Sequence, residues 1–241
     1  MDITTRALVL RATDYKENDM MVLLYSLEHG KISVHARGVR KSSAKLKFAT
    51  DQFCFGHYEL AETKGYYTLK TCQQLESFFA LREDVVCYYS ANCIAEALIK
   101  LTAEGQSDSA LFVEVLRALQ NLCDNVDPLL VTLRFLLGFL QSAGFKLDFS
   151  QCSVCGKKQQ PLFLDVQHGG VVCDTCCSEM AVSISPRVVS ACTMVASIGY
   201  DKLKNIKLSK EICKEALNLV SRYSSHSFVP LNSLAELAKL A

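Results

Sequence analysis

The sequence has no tryptophan, only 4 prolines and no apolar run long enough to span a bilayer. Its most apolar helix-like stretch, Leu129 to Leu140, is 12 residues long and contains Arg134, short of the roughly 20 residues that a membrane-spanning helix needs. The start, MDITTRALVLRATDYKEND, breaks its short apolar run with Arg and Asp and has no small-residue cleavage site, so it does not read as a secretory signal. No Walker loop, G-x-G-x-x-G, H-E-x-x-H or G-x-S-x-G occurs, and nothing in the chain demands an enzyme. Neither sign of charge dominates: 26 Lys+Arg face 25 Asp+Glu, and a net charge of +1 excludes a uniformly basic protein. Half of the 241 residues are hydrophobic and 21% are charged, which excludes general disorder. Internal repeats and low-complexity segments are lacking as well. These absences lead to the expectation of a soluble cytoplasmic chain with no membrane partner and with reduced cysteines.

Residues 1 to about 75 read as strands. The runs are Thr5 to Arg11, Met20 to Leu27, Lys31 to Val39, Gln52 to Leu60 and Gly65 to Thr71. In the third run Ile32, Val34 and Ala36 alternate with Ser33, His35 and Arg37, the two-residue period of a half-buried strand. Five short strands suggest a small closed barrel, because closure removes exposed edges. An OB-type barrel fits the count, and an SH3-like barrel fits it nearly as well. After Leu81 the apolar spacing becomes helical. Helices are expected over Arg82 to Glu104, Ser107 to Cys123, Pro128 to Ala143, Pro186 to Ile198, Ser209 to Tyr223 and Ser233 to Leu240. Asp127-Pro128 and Ser185-Pro186 are start signals, a capping side chain followed by a first-turn proline. The expected architecture is α+β: an N-terminal OB-type five-stranded β-barrel (1–80), an α-helical domain in two parts (81–150 and 183–241), and a four-cysteine zinc module inserted between them (151–182).

That module explains part of an unusual cysteine content, 12 in all. It reads Cys152-Ser-Val-Cys155-Gly, then Cys173-Asp-Thr-Cys176, with seventeen residues between the two pairs. Each C-x2-C pair forms a tight knuckle that presents two sulfurs on one side, and two knuckles complete a tetrahedral thiolate site. Leu162 to Val166 and Gly169 to Val172 are strand-like runs that fold the second knuckle back onto the first. With all four positions taken by sulfur, no place is left for a catalytic water. One structural Zn²⁺ is therefore expected on Cys152, Cys155, Cys173 and Cys176. Cys177 is adjacent and could take the place of Cys176, but the two-residue spacer favours Cys176; His168 is a candidate ligand only if a cysteine is lost, and otherwise reads as a loop residue. The seven other cysteines (Cys54, Cys72, Cys87, Cys93, Cys123, Cys192, Cys213) sit singly on apolar faces and read as small buried hydrophobes.

The charge balance also hides a pattern. Between Glu28 and Asp51 there is no acidic residue, while Lys31, Arg37, Arg40, Lys41, Lys45 and Lys47 give the window +6, against −5 for the rest. The run Arg37 to Lys47 leaves the third strand as a flexible Gly/Ser-containing loop suited to a phosphate backbone, each cation releasing a counterion. Phe48, Phe53, Phe55, Tyr58, Tyr66 and Tyr67 follow, and bases stack on exposed aromatics of barrel faces; buried core is the competing reading for the Phe residues. Asp14, Glu17 and Asp19 are spaced so as to bind Mg²⁺ but read better as a solvated turn. Arg134 and Lys146 are weaker cationic candidates.

The strand-leading stretch LVLRATDYKENDMMVLLYSLEHGKISVHARGVRK, a helical segment, and CSVCG…FLDVQHGGVVCDTC placed between helices together resemble the bacterial recombination mediator family RecO, over nearly the whole chain. The resemblance implies an N-terminal OB domain, a helical domain and a zinc module. It implies binding of single- and double-stranded DNA and annealing of complementary strands at the nucleoid. Work with RecR and the single-strand-binding protein SSB to load RecA is implied too, with SSB held by its tail in an apolar groove of the helical domain. Two rival readings use the same residues. In one, barrel and zinc module form a protein-interaction scaffold with no DNA affinity of its own. In the other, Cys152/Cys155 or Cys173/Cys176 serve as a thiol-redox centre.

Overall fold

The computed structural model describes residues 1–158, 161–227 and 229–240. They form two compact units, Met1–Ala80 with Ala97–Leu116, and Leu81–Glu96 with Arg117 onwards.

In the first unit β1 (Asp2–Tyr15), β2 (Asp19–Ser26), β3 (Gly30–Ala36), β4 (Phe55–Thr63) and β5 (Tyr66–Glu76) close into a barrel in the order β1-β2-β3-β5-β4. β1 is shared, pairing antiparallel with β2 along its C-terminal half and with β4 along its N-terminal half. A bulge between Val9 and Arg11 bends it around the corner. β3 pairs with β5 in parallel through Val34–Tyr67 and His35–Thr68. This order and the parallel closure are the OB arrangement and set aside the SH3-like alternative. β1 is longer than the apolar run Thr5 to Arg11 suggested, because Thr13, Asp14 and Tyr15 go on pairing with β2 although their side chains meet water. The interior holds Val9, Val22, Leu24, Val34, Tyr58 and Leu60, all at most 2% exposed. Tyr58 donates its hydroxyl to Ala49 O at 3.1 Å, so the buried ring leaves no orphaned donor. Gly30 opens β3 at φ +62, and a Cβ there would lie 2.0 Å from Gln106 O. No other residue fits that position.

The helices are α1 (Val85–Leu101), α2 (Ser109–Cys123), α3 (Pro128–Ser142), α4 (Pro186–Ser197), the single turn α5 (Tyr200–Leu203), α6 (Lys210–Ser227) and α7 (Asn232–Leu240). In the second unit α3 is the central element. Ten of its residues are buried, and α4 and α6 pack against it. Asp127 caps it by accepting from Leu129 N–H at 2.9 Å and Leu130 N–H at 3.3 Å, and Ser185 caps α4 in the same way. Arg134 lies within this helix packing: its Nε donates to Ile198 O at 2.6 Å and its guanidinium sits 4.9 Å from the Tyr200 ring centre. Between α3 and α4 a three-stranded sheet forms in the order β7-β6-β8, from β6 (Leu162–Asp165), β7 (Gly170–Cys173) and β8 (Val182–Ile184). The sequence pattern foresaw β6 and β7. It missed β8, three residues long, and α5, a single turn.

Candidate metal centre and nucleic-acid interface

Cys152, Cys155, Cys173 and Cys176 bring their sulfurs within 4.8 Å of one another, with Cys155 and Cys173 at 3.8 Å. A tetrahedral site with metal–sulfur bonds of about 2.3 Å has sulfur–sulfur edges of roughly 3.8 Å, so the spacing suits a thiolate-bound metal. Both knuckles are closed by backbone hydrogen bonds. Gly156 N–H donates to Cys152 O at 2.9 Å, Cys152 N–H to Lys157 O at 2.9 Å, and Cys176 N–H to Cys173 O at 3.1 Å. Gly156 takes φ +70, which lets the first knuckle turn after its second sulfur. β6–β7 pairing carries one knuckle to the other, Leu162 standing opposite Cys173.

Burial works against ionisation of the Cys152 thiol, but amide hydrogen bonds from Cys155, Cys173 and Val154 outweigh it and bring the thiol down to about 6. Cys176, hydrogen-bonded to Cys173, is instead pushed up to about 12. Four thiols this close cannot all ionise without a cation between them. Cys177 is not part of the set; its thiol donates to Asp174 O at 3.1 Å. His168 stays outside as well, with Nδ1 2.9 Å from Asp165 Oδ2.

Asp165 is the residue that the sequence did not signal. It is fully buried at the end of β6, where it accepts from Ser178 N–H at 2.7 Å, Gln167 N–H at 3.0 Å and His168. Burial alone raises a carboxyl's pKa; these hydrogen bonds reverse the effect and hold Asp165 well below the usual carboxylate range. Its side chain ties the β6–β7 turn to the chain just past the second knuckle.

The basic window divides into distinct environments. Arg37, Arg40, Lys41, Lys45 and Lys47 are exposed. Lys31 is not: it is 8% exposed, and its Nζ donates at 2.6 Å to both Ile99 O and Thr102 O, at the C-terminal end of α1. It satisfies helix-terminal carbonyls and complements the helix dipole, so the expectation that it meets phosphate is revised. Burial lowers its pKa, while nearby Glu104 acts in the opposite direction. Arg40 is partly engaged, with Nη2 3.0 Å from Asp14 Oδ2 and Nη1 3.2 Å from Glu17 O. Arg37, Lys41, Lys45 and Lys47 have no ion pair among the described residues.

The loop is more ordered than its composition suggested. Arg40 N–H donates to Asn18 O, Lys41 N–H to Gly38 O and Ala44 N–H to Lys41 O, at 3.0–3.2 Å. Asp19 accepts from Gly38 N–H at 2.8 Å and pairs with His35 Nε2 at 2.8 Å. Val39 is buried in the barrel core, and Leu46 and Phe48 pack on it. Two of the three acidic residues that suggested a Mg²⁺ site, Asp14 and Asp19, thus anchor this loop. Of the aromatics, Phe53 and Tyr58 are core at 1% exposure, whereas Tyr66 is 79% exposed. Lys146 pairs with Asp148 at 3.6 Å.

A closed OB barrel with a cation-bearing loop, continued in sequence by helices on either side of a four-cysteine cluster, defines an OB-fold protein with an appended helical domain whose cysteine spacing is compatible with a metal. The sequence family described as "Recombination protein O N terminal" matches residues 1–78, and "Recombination protein O C terminal" matches residues 82–235. The chain belongs to the RecO family, whose role is in DNA repair and recombination. It is similar to "DNA repair protein RecO" of Clostridium novyi, 30% identical over 93% of this chain and 88% of the relative. The protein of that name from Clostridium acetobutylicum is 26% identical over 98% and 96%. The Bacillus subtilis one is 27% identical over 90% and 86%. Among the described residues no helix is long and apolar enough to cross a membrane.

Proposed function

We propose that this protein binds single- and double-stranded DNA at the outer face of the 37–47 loop and anneals complementary strands. We further propose that, with RecR, it helps to load RecA onto SSB-coated single strands at the cytoplasmic nucleoid. The observation that carries the DNA-binding part is the anchored loop. It presents Arg37, Lys41, Lys45 and Lys47 exposed and without an ion pair among the described residues, with Arg40 beside them. The domain division 1–80, 81–150, 151–182 and 183–241 belongs to the same reading, the first part meeting DNA and the helical parts meeting partners. RecR, SSB and RecA enter through the family.

The chemistry is physical. Two phosphate backbones repel each other, a cationic loop lowers that repulsion, and base pairing supplies the driving force; no bond is made or broken. Anchoring matters because a loop already folded loses little entropy on binding. Cys152, Cys155, Cys173 and Cys176 would hold one Zn²⁺, which supplies folding free energy and no open coordination position.

The test is a salt titration of single-strand binding. Neutralising four phosphates gives a log–log slope of roughly −3, at about −0.7 per contact. Replacing Arg37, Lys41 and Lys45 by Gln together is expected to flatten the slope to about −1. An unchanged slope refutes the loop assignment. Negligible affinity at moderate salt supports the scaffold reading instead.

A further inference from the structure

Asp14, Glu17 and Asp19 lie around the turn from β1 into β2, and this turn meets the root of the cationic loop. Glu17 O accepts from Arg40 Nη1 at 3.2 Å, and Asn18 O accepts from Arg40 N–H at 3.0 Å. Asp14 pairs with Arg40 at 3.0 Å, in the open. Asp19 differs from the other two acids. Its side chain is only 19% exposed, and both of its oxygens are engaged. Oδ1 accepts from Gly38 N–H at 2.8 Å, and Oδ2 lies 2.8 Å from His35 Nε2, on β3. Gly38 takes φ +65 just past the end of β3. From it two successive turns lay out the loop: Lys41 N–H donates to Gly38 O at 3.2 Å and Ala44 N–H to Lys41 O at 3.0 Å. The Gly38 amide first, then His35, hold the Asp19 carboxyl below its ordinary pKa, with Lys16 adding a smaller attraction. One carboxylate thus fastens the first residues of the loop to the strand that they leave.

An acid inside a surface that binds a polyanion is expected to weaken it. Here that cost is small: at about 10 Å in water one carboxylate–phosphate repulsion, screened by salt, changes affinity by less than about 2-fold. The gain is larger. A polyanion binds the loop only in the fraction of molecules whose loop is formed, and a hydrogen bond from a backbone amide to an ionised carboxylate shifts such a fraction by roughly 10-fold. Other anchors, Val39 in the core and Arg40 on Glu17 O and Asn18 O, hold part of the loop without it. We infer that Asp19 is a positioning residue for DNA binding: a carboxylate within the cationic surface that strengthens the hold on DNA, because the order it gives to the loop outweighs the repulsion of its charge. The inference rests on the DNA-binding reading above and deepens it. It reverses the sign that charge alone assigns to this residue.

The experiment measures the affinity of the full chain for oligothymidylate at one salt concentration, beside its Asp19→Ala, Asp19→Asn and Asp51→Ala variants. A stoichiometric titration reads the binding capacity of each. All three variants lose one negative charge. Asp51 is exposed at the far end of the acid-free window, and its carboxylate has no hydrogen bond or ion pair among the described residues. Asp51→Ala therefore reports charge alone, and its affinity is expected to be unchanged or up to about 2-fold tighter. Asp19→Ala is expected to keep full capacity and to bind roughly 3- to 10-fold more weakly. Asp19→Asn restores the affinity. Its Oδ1 still accepts from Gly38 N–H, and its amide donates to His35 Nε2 once that ring takes the other tautomer. The inference is overturned if Asp19→Ala binds as tightly as Asp19→Asn. It is overturned equally if Asp19→Ala loses capacity rather than affinity, since the residue then serves only the fold. If replacing Arg37, Lys41 and Lys45 together by Gln leaves the affinity unchanged, the DNA-binding reading itself has failed and this inference falls with it, a result distinct from both.

Discussion

Lys31 separates two accounts of the basic window, and a single substitution tells them apart. Lys31→Met keeps most of the apolar stem and deletes the ammonium. Its Nζ makes two 2.6 Å hydrogen bonds to Ile99 O and Thr102 O. A hydrogen bond to a charged group contributes about 1.5–3 kcal/mol net, and a cation at a helix C-terminus adds roughly 0.3–1 kcal/mol. Against this stands the cost of burying the charge, visible as the lowered pKa of the lysine, and water that re-solvates part of the freed carbonyls. The net expectation is a loss of about 2 kcal/mol. With a urea m-value of roughly 2 kcal/mol/M, the unfolding midpoint of the barrel unit, followed by circular dichroism at about pH 7, falls by about 1 M. The slope of DNA affinity against salt stays where it was. Lys45→Met is the control. On the exposed loop it changes stability by no more than about 0.5 kcal/mol and makes the salt slope shallower by about 0.7. A Lys31→Met protein that behaves like Lys45→Met, stable but with a shallower slope, refutes the capping role and returns Lys31 to the phosphate contacts.

Two further predictions concern the thiolate module. Cys176→Ser is expected to reduce bound zinc well below one per chain, measured by metal analysis after dialysis, whereas Cys177→Ser retains it, because the Cys177 thiol is directed to Asp174 O; equal loss in both refutes the ligand set. Asp165→Asn removes the buried charge and turns one of its two accepting oxygens into an NH2 donor, and is expected to cost roughly 2–3 kcal/mol at about pH 7 by urea unfolding. The folded pKa of Asp165 lies below its unfolded value, so its contribution is complete above about pH 4 and is lost as pH falls through the folded value. The gap between wild type and variant therefore stays constant from about pH 8 to about pH 5 and closes only at lower pH; a gap that closes between about pH 7 and about pH 5 contradicts the assignment.

How much of the fold and of the site was legible in the sequence follows from the range of each determinant. The knuckles were legible because C-x2-C is local: the geometry that brings two sulfurs together lies within four residues. The caps at Asp127 and Ser185 were legible for the same reason. Asp165 was not, since one Asp closing an apolar run announces nothing, and one of its partners is Ser178, thirteen residues on. β8 was missed because three residues carry no period.

The basic window shows where a local pattern misleads even when it is read correctly. Alternation along β3 puts Ile32, Val34 and Ala36 inside and Ser33, His35 and Arg37 outside, and that parity holds. By the same parity Lys31 belongs outside with Arg37. It is buried nonetheless, because residues 97–116 cover that corner of the strand; the close approach of Gln106 to Gly30 is the sign of it. Facing away from the barrel interior is therefore not the same as facing water, and the difference is made by a segment some seventy residues away. Acids just outside the window act on it too: Asp14 pairs with Arg40 at 3.0 Å, and Asp19 fixes where the loop begins. Of six cations that a charge count treats alike, one caps a helix end, one pairs with an acid at the loop's edge, and four are exposed with no ion pair among the described residues. A charge count measures the potential reach of a surface; only burial and pairing show how much of it remains for a partner.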